Sequence, residues 1–184
     1  KEDQSKGFGS FLIKLADLIC RVYLTVIRGT PTMVQLLIMF FIVLASSNNK
    51  VMVAVITFGV NSGAYVAEIF RSGIMSVDKG QMEAGRAVGL SFGTSMMKIV
   101  IPQAVKNILP TLGNEFISLI KETSVVSFVG AADLYVAFNY IGSNSYEFMV
   151  PYLVMALIYI ALVLIISLLI KLMERSLKKS DRRN

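Results

Sequence analysis

The chain of 184 residues has no histidine and one cysteine, Cys20. No intrachain disulfide can form, and zinc sites of the Cys/His type are excluded. Cys20 reads as a small apolar residue near a helix start. Charge is also scarce. Only 16% of residues are Asp, Glu, Lys or Arg, against 55% hydrophobic, a balance that soluble domains of this size rarely reach. Residues 29–49, 51–67 and 148–170 carry no charge at all. At about 1.5 Å per residue, the last of these runs is long enough to cross a hydrocarbon core of about 30 Å. These absences place the chain among all-α membrane proteins.

The apolar runs predict four spans, at about 28–46, 51–72, 95–129 and 148–172, within one transmembrane domain covering 1–184. The polar N-terminus (KEDQSKGFGS) is expected to be loose. Residues 11–28 carry Lys14, Asp17 and Arg21 among apolar residues, and predict a helix on the membrane surface that leads into the first span. Residues 46–50 are a turn, 130–147 a polar connector, and 173–184 a basic tail. Pro102 and Pro110 are expected to kink or end helices in the third region. Gly59 and Gly63 have the spacing of close helix packing, Gln35 reads as an amide between helices, and the scattered Met residues read as core filler.

Lys and Arg set the orientation. Lys6 and Lys14, the loop at about 76–93 with Lys79 and Arg86, and the tail with Lys171, Arg175, Lys178, Lys179, Arg182 and Arg183 form the basic side. The opposite loops hold only Lys50. Both visible ends are therefore expected in the cytoplasm. The tail's position beside a span makes it an orientation signal, and no nucleic-acid partner is expected.

Within the basic loop, "MEAGRAVGL" (82–90) is too polar for lipid and rich in small residues. As a helix it would group Ala84, Ala87 and Val88 on one face, and Gly85 and Gly89 on another. Each glycine costs about 1 kcal/mol of helix stability relative to Ala. Either this is an ordinary short helix, or small residues are kept so that another protein can approach closely. Glu83 suits the positive end of such a helix.

The stretch "EAGRAVGLSFGTSMMKIVIP" resembles the EAA motif of ABC importer permease subunits: Glu-Ala-Ala, three residues, Gly, nine residues, then Ile-x-Leu-Pro. Glu83, Ala84, Gly85, Gly89, Ile99, Ile101 and Pro102 fall at those spacings. Gly85 replaces Ala, and Ile101 replaces Leu. "RGTPTMVQLL" (28–37), "AYVAEIFRSGI" (64–74) and "LPTLGNEFISLIKETSVVS" (109–127) are similar to the polar amino acid branch of that family, in the same order. The resemblance implies a type I importer permease of the bacterial cytoplasmic membrane, with a cytoplasmic coupling helix seated on a separate ATPase. Glu83, Ala84, Gly85, Gly89, Ile99 and Pro102 would serve that coupling. It further implies a pair of ATPases that bind ATP and magnesium, a second permease copy or homologue, an external binding protein (separate or fused upstream), an amino acid substrate, and a family first span before Lys1. This chain would hold no cofactor or metal and would not be an enzyme. The absence of a GxxxxGK[ST] phosphate loop agrees with that.

The third region also carries charge. Glu115 and Glu122 are seven apart, so they share a helical face about 10 Å apart, with Ser118 between them and Asn114 and Lys121 beside them. Three charges near a span centre cost about 8 to 10 kcal/mol, while the apolar residues in 107–129 return only about 3 to 7 kcal/mol. The stripe must face other helices or water. Either Lys121 pairs with the glutamates inside the bundle, or the stripe lines a translocation path. Glu68 and Asn61 on the second span could add to that path. A secondary transporter or channel using Glu115, Lys121 and Glu122 would explain the charges but not the small-residue loop. An intramembrane enzyme would have two carboxylates but no histidine and no metal set.

Overall fold

The computed structural model describes residues 2–181, with side-chain surroundings for residues 9–175. Among the expected inside charges, Arg182 and Arg183 lie outside the described residues, as do the side chains of Lys6, Lys178 and Lys179. All regular structure among the described residues is helical, as the charge-free runs predict. The chain divides into two compact units between Tyr65 and Val66.

The N-terminal unit opens with α1, Glu2–Gly29. The stretch expected to be loose is the start of this helix. Glu, Gln and Lys there are good helix formers and extend the amphipathic run that follows. The exposed pair Asp17 and Arg21, 2.9 Å apart, sits one turn apart on its surface. The expected first span, 28–46, is not one helix. Pro31 cannot continue α1 and disfavours helical geometry at Thr30, so the chain turns by 109° before α2, Thr32–Ile38. A π-helical turn, Met39–Val43, extends α2. Together these twelve residues rise only about 18 Å, short of a hydrocarbon core.

A buried amide fastens this corner. Gln35 Nε2 donates to Ile27 O at 2.7 Å, Thr30 O at 3.1 Å and Thr30 Oγ1 at 2.7 Å. Its Oε1 accepts from Asn61 Nδ2 at 2.9 Å. Asn61 lies on α3, Lys50–Met75, whose buried row Val53, Thr57, Asn61 and Ala64 recurs at helical spacing. Tyr23 Oη donates to Val60 O at 2.6 Å. A Cβ at Gly63 would lie 3.0 Å from that hydroxyl, whereas one at Gly59 would meet nothing within 4 Å. Only one of the two spaced glycines therefore serves a close approach within the chain.

The C-terminal unit continues from the end of α3 through α4 (Lys79–Ala87), α5 (Phe92–Ser95) with its π-helical extension Met96–Val100, and α6 (Ile101–Glu122). Its core joins Val77, Val100, Ala104 and Ile108, with Ile69, Ile74, Met82, Met96 and Leu112 against them. Neither proline ends α6. Pro102 follows directly on the π-helical turn Met96–Val100, and the helical backbone runs on through it. Pro110 stands inside the helix, which continues to Glu122. A 3₁₀ segment, Thr123–Val129, closes at Gly130 with φ +70°.

The connector expected over 130–147 is mostly helix: α7, Leu134–Ser145. Asp133 caps it, its Oδ1 accepting from Val136 N at 2.8 Å. Tyr135 stacks on Tyr152 of α8 with centroids 6.3 Å apart. The last helix, α8, is Met149–Asp181. Among the described residues, α3 and α8 alone are long and apolar enough to cross a membrane. The number of crossings rises to four if each bent pair, α1 with α2 and residues 92–129 with α7, counts as one. No residue in the most apolar stretch of α8 is fully buried by the rest of the chain, so lipid or another subunit covers its outer face.

Candidate functional site

Two features stand out in the C-terminal unit: the short helix α4, and the polar faces of α3 and α6 above it. Asp78 starts α4, its Oδ1 accepting from Gly80 N at 2.6 Å. Asp78 thus takes the N-terminal position that the sequence reading associates with Glu83, which is the fifth residue of the helix. Val88 caps the other end, and the chain closes in a Schellman motif. Gly89 N donates to Arg86 O and Leu90 N to Gly85 O, both at 3.1 Å. Gly89 has φ +88°, a conformation that other residues adopt only with strain.

The two glycines therefore do not share a helical face. Gly89 lies beyond α4 and ends it. Gly85 is buried, and a Cβ there would come within 2.8 Å of both Ile99 Cδ1 and Ser95 Oγ. The small residue lets α4 pack on α5 and its π-helical extension. Ser95 Oγ is buried beside it with no hydrogen-bond partner. Gln103 Nε2 reaches Gln81 Oε1 at 3.2 Å and Ile99 O at 3.0 Å, tying α4 to α6. The outward residues are Glu83, Ala84, Arg86, Ala87 and Val88, the last 78% exposed. Of the motif residues, Gly85 and Ile99 meet inside the fold, Pro102 opens α6, and Glu83 and Ala84 face outward.

On α6, Gly113 packs on α8, where a Cβ would come 2.7 Å from Ile170 Cδ1. At about 100° per residue, Glu115, Ser118 and Glu122 lie on the opposite face, roughly 140° to 200° round the helix. All three are half-buried. Asn114 and Lys121 are exposed and lie between these faces. Glu68 on α3 is half-buried and receives two hydrogen bonds from the Arg71 guanidinium, that from Nε at 3.0 Å. Asn61 is 2% exposed and spent on Gln35 within the N-terminal unit.

A cleft of about 230 Å³, which no single motif announces, is lined by Ile69, Ser72, Gly73, Ser76, Asn107 and Thr111. Gly73 creates the approach: a Cβ there would lie 2.2 Å from Ile108 Cγ1. Asn107 Nδ2 donates to Ser76 Oγ at 2.9 Å across it. The available signal was the four-residue spacing of Ser72 with Ser76, and of Asn107 with Thr111 and Glu115.

Residues 8–179 match the family model described as binding-protein-dependent transport system inner membrane component. The chain is 40% identical over 166 residues to the arginine transport system permease protein ArtQ of Bacillus subtilis (strain 168), covering 89% of this chain and 76% of that protein. It is 39% identical over 163 residues to a putative glutamine transport system permease protein, GlnP, of Rickettsia typhi (strain ATCC VR-144 / Wilmington), covering 87% and 75%. It also superposes on a chain in the crystal structure of an amino acid ABC transporter with histidines, with TM-score 0.83 and 44% identity, covering 89% and 78%.

Proposed function

The chain belongs to the binding-protein-dependent transport system inner membrane component family, and from that premise we propose how it imports its substrate. It is a multi-pass inner-membrane permease subunit of an ABC importer, and is not itself catalytic. Such permeases work with ATPase and substrate-binding subunits. Its substrate is an amino acid, a reading supported by relatives named for arginine and glutamine transport. Membership in a family of importer permeases sets aside the readings as secondary transporter, channel or intramembrane enzyme.

The outward face of α4 carries the coupling proposal. Glu83, Ala84, Ala87 and Val88 are exposed on a helix fixed by a cap at Asp78 and a Schellman turn at Gly89. Small exposed residues on a rigid helix admit the wall of a partner's groove. The partner is an ATPase dimer that binds ATP and magnesium, and α4, with both visible chain ends, lies on its cytoplasmic side. A second permease, a copy or a homologue, completes the path. Glu115, Ser118 and Glu122 face that path, because a half-buried polar row turned away from α8 does not face hydrocarbon.

The test is uptake by proteoliposomes holding the chain with its ATPase and binding protein. Labelled amino acid should accumulate only with ATP on the ATPase side. Ala84→Trp should lower uptake at least about tenfold, the effect of losing about 1.4 kcal/mol of docking, without loss of folded permease. Uptake driven by a proton gradient without ATP, or undiminished in the tryptophan variant, would overturn the proposal.

A further inference from the structure

We infer that the cleft between the end of α3 and the start of α6 accepts a cationic nitrogen group, an ammonium or a guanidinium, on the substrate's route past α4. The inference rests on reading the chain as an amino acid permease and adds a chemical class to that reading.

The hydroxyl protons in the cleft are already used. Ser72 Oγ donates to Ile69 O at 3.2 Å, Ser76 Oγ to Gly73 O at 2.8 Å and Thr111 Oγ1 to Asn107 O at 3.2 Å. One amide hydrogen of Asn107 goes to Ser76 Oγ at 2.9 Å. The cleft therefore presents lone pairs: those of three hydroxyls and of the Asn107 amide oxygen. The second amide hydrogen of Asn107 is the remaining neutral donor of that set. A wall of acceptors takes a donor-rich guest.

The setting of the cleft agrees. Glu68, Ser72 and Ser76 follow one another at four-residue steps on one side of the cleft, and Asn107, Thr111 and Glu115 do so on the other. Each row ends in a carboxylate, and both ends lie away from α4. Of the nearby cations, Arg71 is held by Glu68, and Lys106 lies about 100° round α6 from Asn107. Ser72, Ser76, Asn107 and Thr111 are all exposed within the chain. Polar rows of this kind do not face lipid in a membrane protein, so the cleft opens towards water or another subunit. Neutral oxygens hold an ammonium more weakly than a carboxylate does, and so let it leave.

The test uses the assembled importer in lipid nanodiscs, with Cys20→Ser as background. Ser72→Cys and Thr111→Cys, made separately, are labelled with aminoethyl methanethiosulfonate or its sulfonatoethyl counterpart. Rates are divided by those with free 2-mercaptoethanol. Leu164→Cys, exposed on the apolar stretch of α8, is the control. Both cleft positions should label faster than the control and favour the ammonium reagent by about tenfold, since the lone pairs of the cleft accept from an ammonium and offer a sulfonate no donor. Millimolar methylguanidinium should slow them. Labelling no faster than the control, or without preference for the ammonium reagent, overturns the inference. Such a failure in a complex that still shows ATP-driven uptake removes the cation-accepting cleft alone. Absence of ATP-driven uptake removes the permease reading, whatever the labelling.

Discussion

Gly85 and Ser95 stand so close that a Cβ on the glycine would come within 2.8 Å of the serine Oγ. The outward face of α4 is therefore held in place by an inward contact. Gly85→Val should destabilise the permease by about 1 to 3 kcal/mol through overpacking, and Ser95→Gly in the same chain should restore part of that. Thermal unfolding of the purified importer, followed by size-exclusion chromatography, would show both changes. Equal stability of the single and double variants would refute the contact.

The Ser95 hydroxyl is buried without a partner. Ser95→Ala should leave stability unchanged or raise it by up to about 1 kcal/mol, because no hydrogen bond is lost and a desolvated polar group is removed. A loss above that size in the same unfolding assay would mean that the hydroxyl is bonded.

Gly89 is needed for its backbone. At φ +88°, Gly89→Ala should cost about 1 to 2 kcal/mol, and Gly89→Asn less, because asparagine visits the left-handed region more readily. Tyr146 presents the opposite case, with a side chain 94% exposed and φ +54°. Tyr146→Asn or Tyr146→Gly should raise the unfolding temperature modestly.

Asn61 and Gln35 should act as a pair. Asn61→Leu leaves Gln35 Oε1 buried without its donor, at a cost of about 1 to 3 kcal/mol. Gln35→Leu costs more, because three acceptors at the corner lose their donor. A double-mutant cycle should give a coupling of at least about 0.5 kcal/mol. Additive losses would separate the two residues.

How much of this was legible in the sequence depends on the kind of signal. The helix α8 was plain, because twenty-three uncharged residues in a row admit few other readings. The break before α2 was less so. Its hydropathy is continuous, and Pro31 had to be weighed as a stop inside an apolar run. α7 was hidden because glycine, serine and asparagine fill its last turns. Its support comes from the cap at Asp133 and the stacking on Tyr152, which is tertiary. The small-residue motif could be found by spacing, but spacing could not separate Gly85, held for contact, from Gly89, held for its backbone angle. The stripe of Glu115, Ser118 and Glu122 was visible as a periodicity, whereas the cleft at Ser72 and Thr111 needed two helices to be brought together.

The 109° corner between α1 and α2 has its own consequence. A chain that bends in oily surroundings ordinarily strands carbonyl groups with no water to satisfy them. Here one glutamine side chain does what the solvent would have done for Ile27 and Thr30. The elbow thus keeps its angle without water, and a push on α1 is carried through Gln35 to Asn61 on α3 rather than lost in bending.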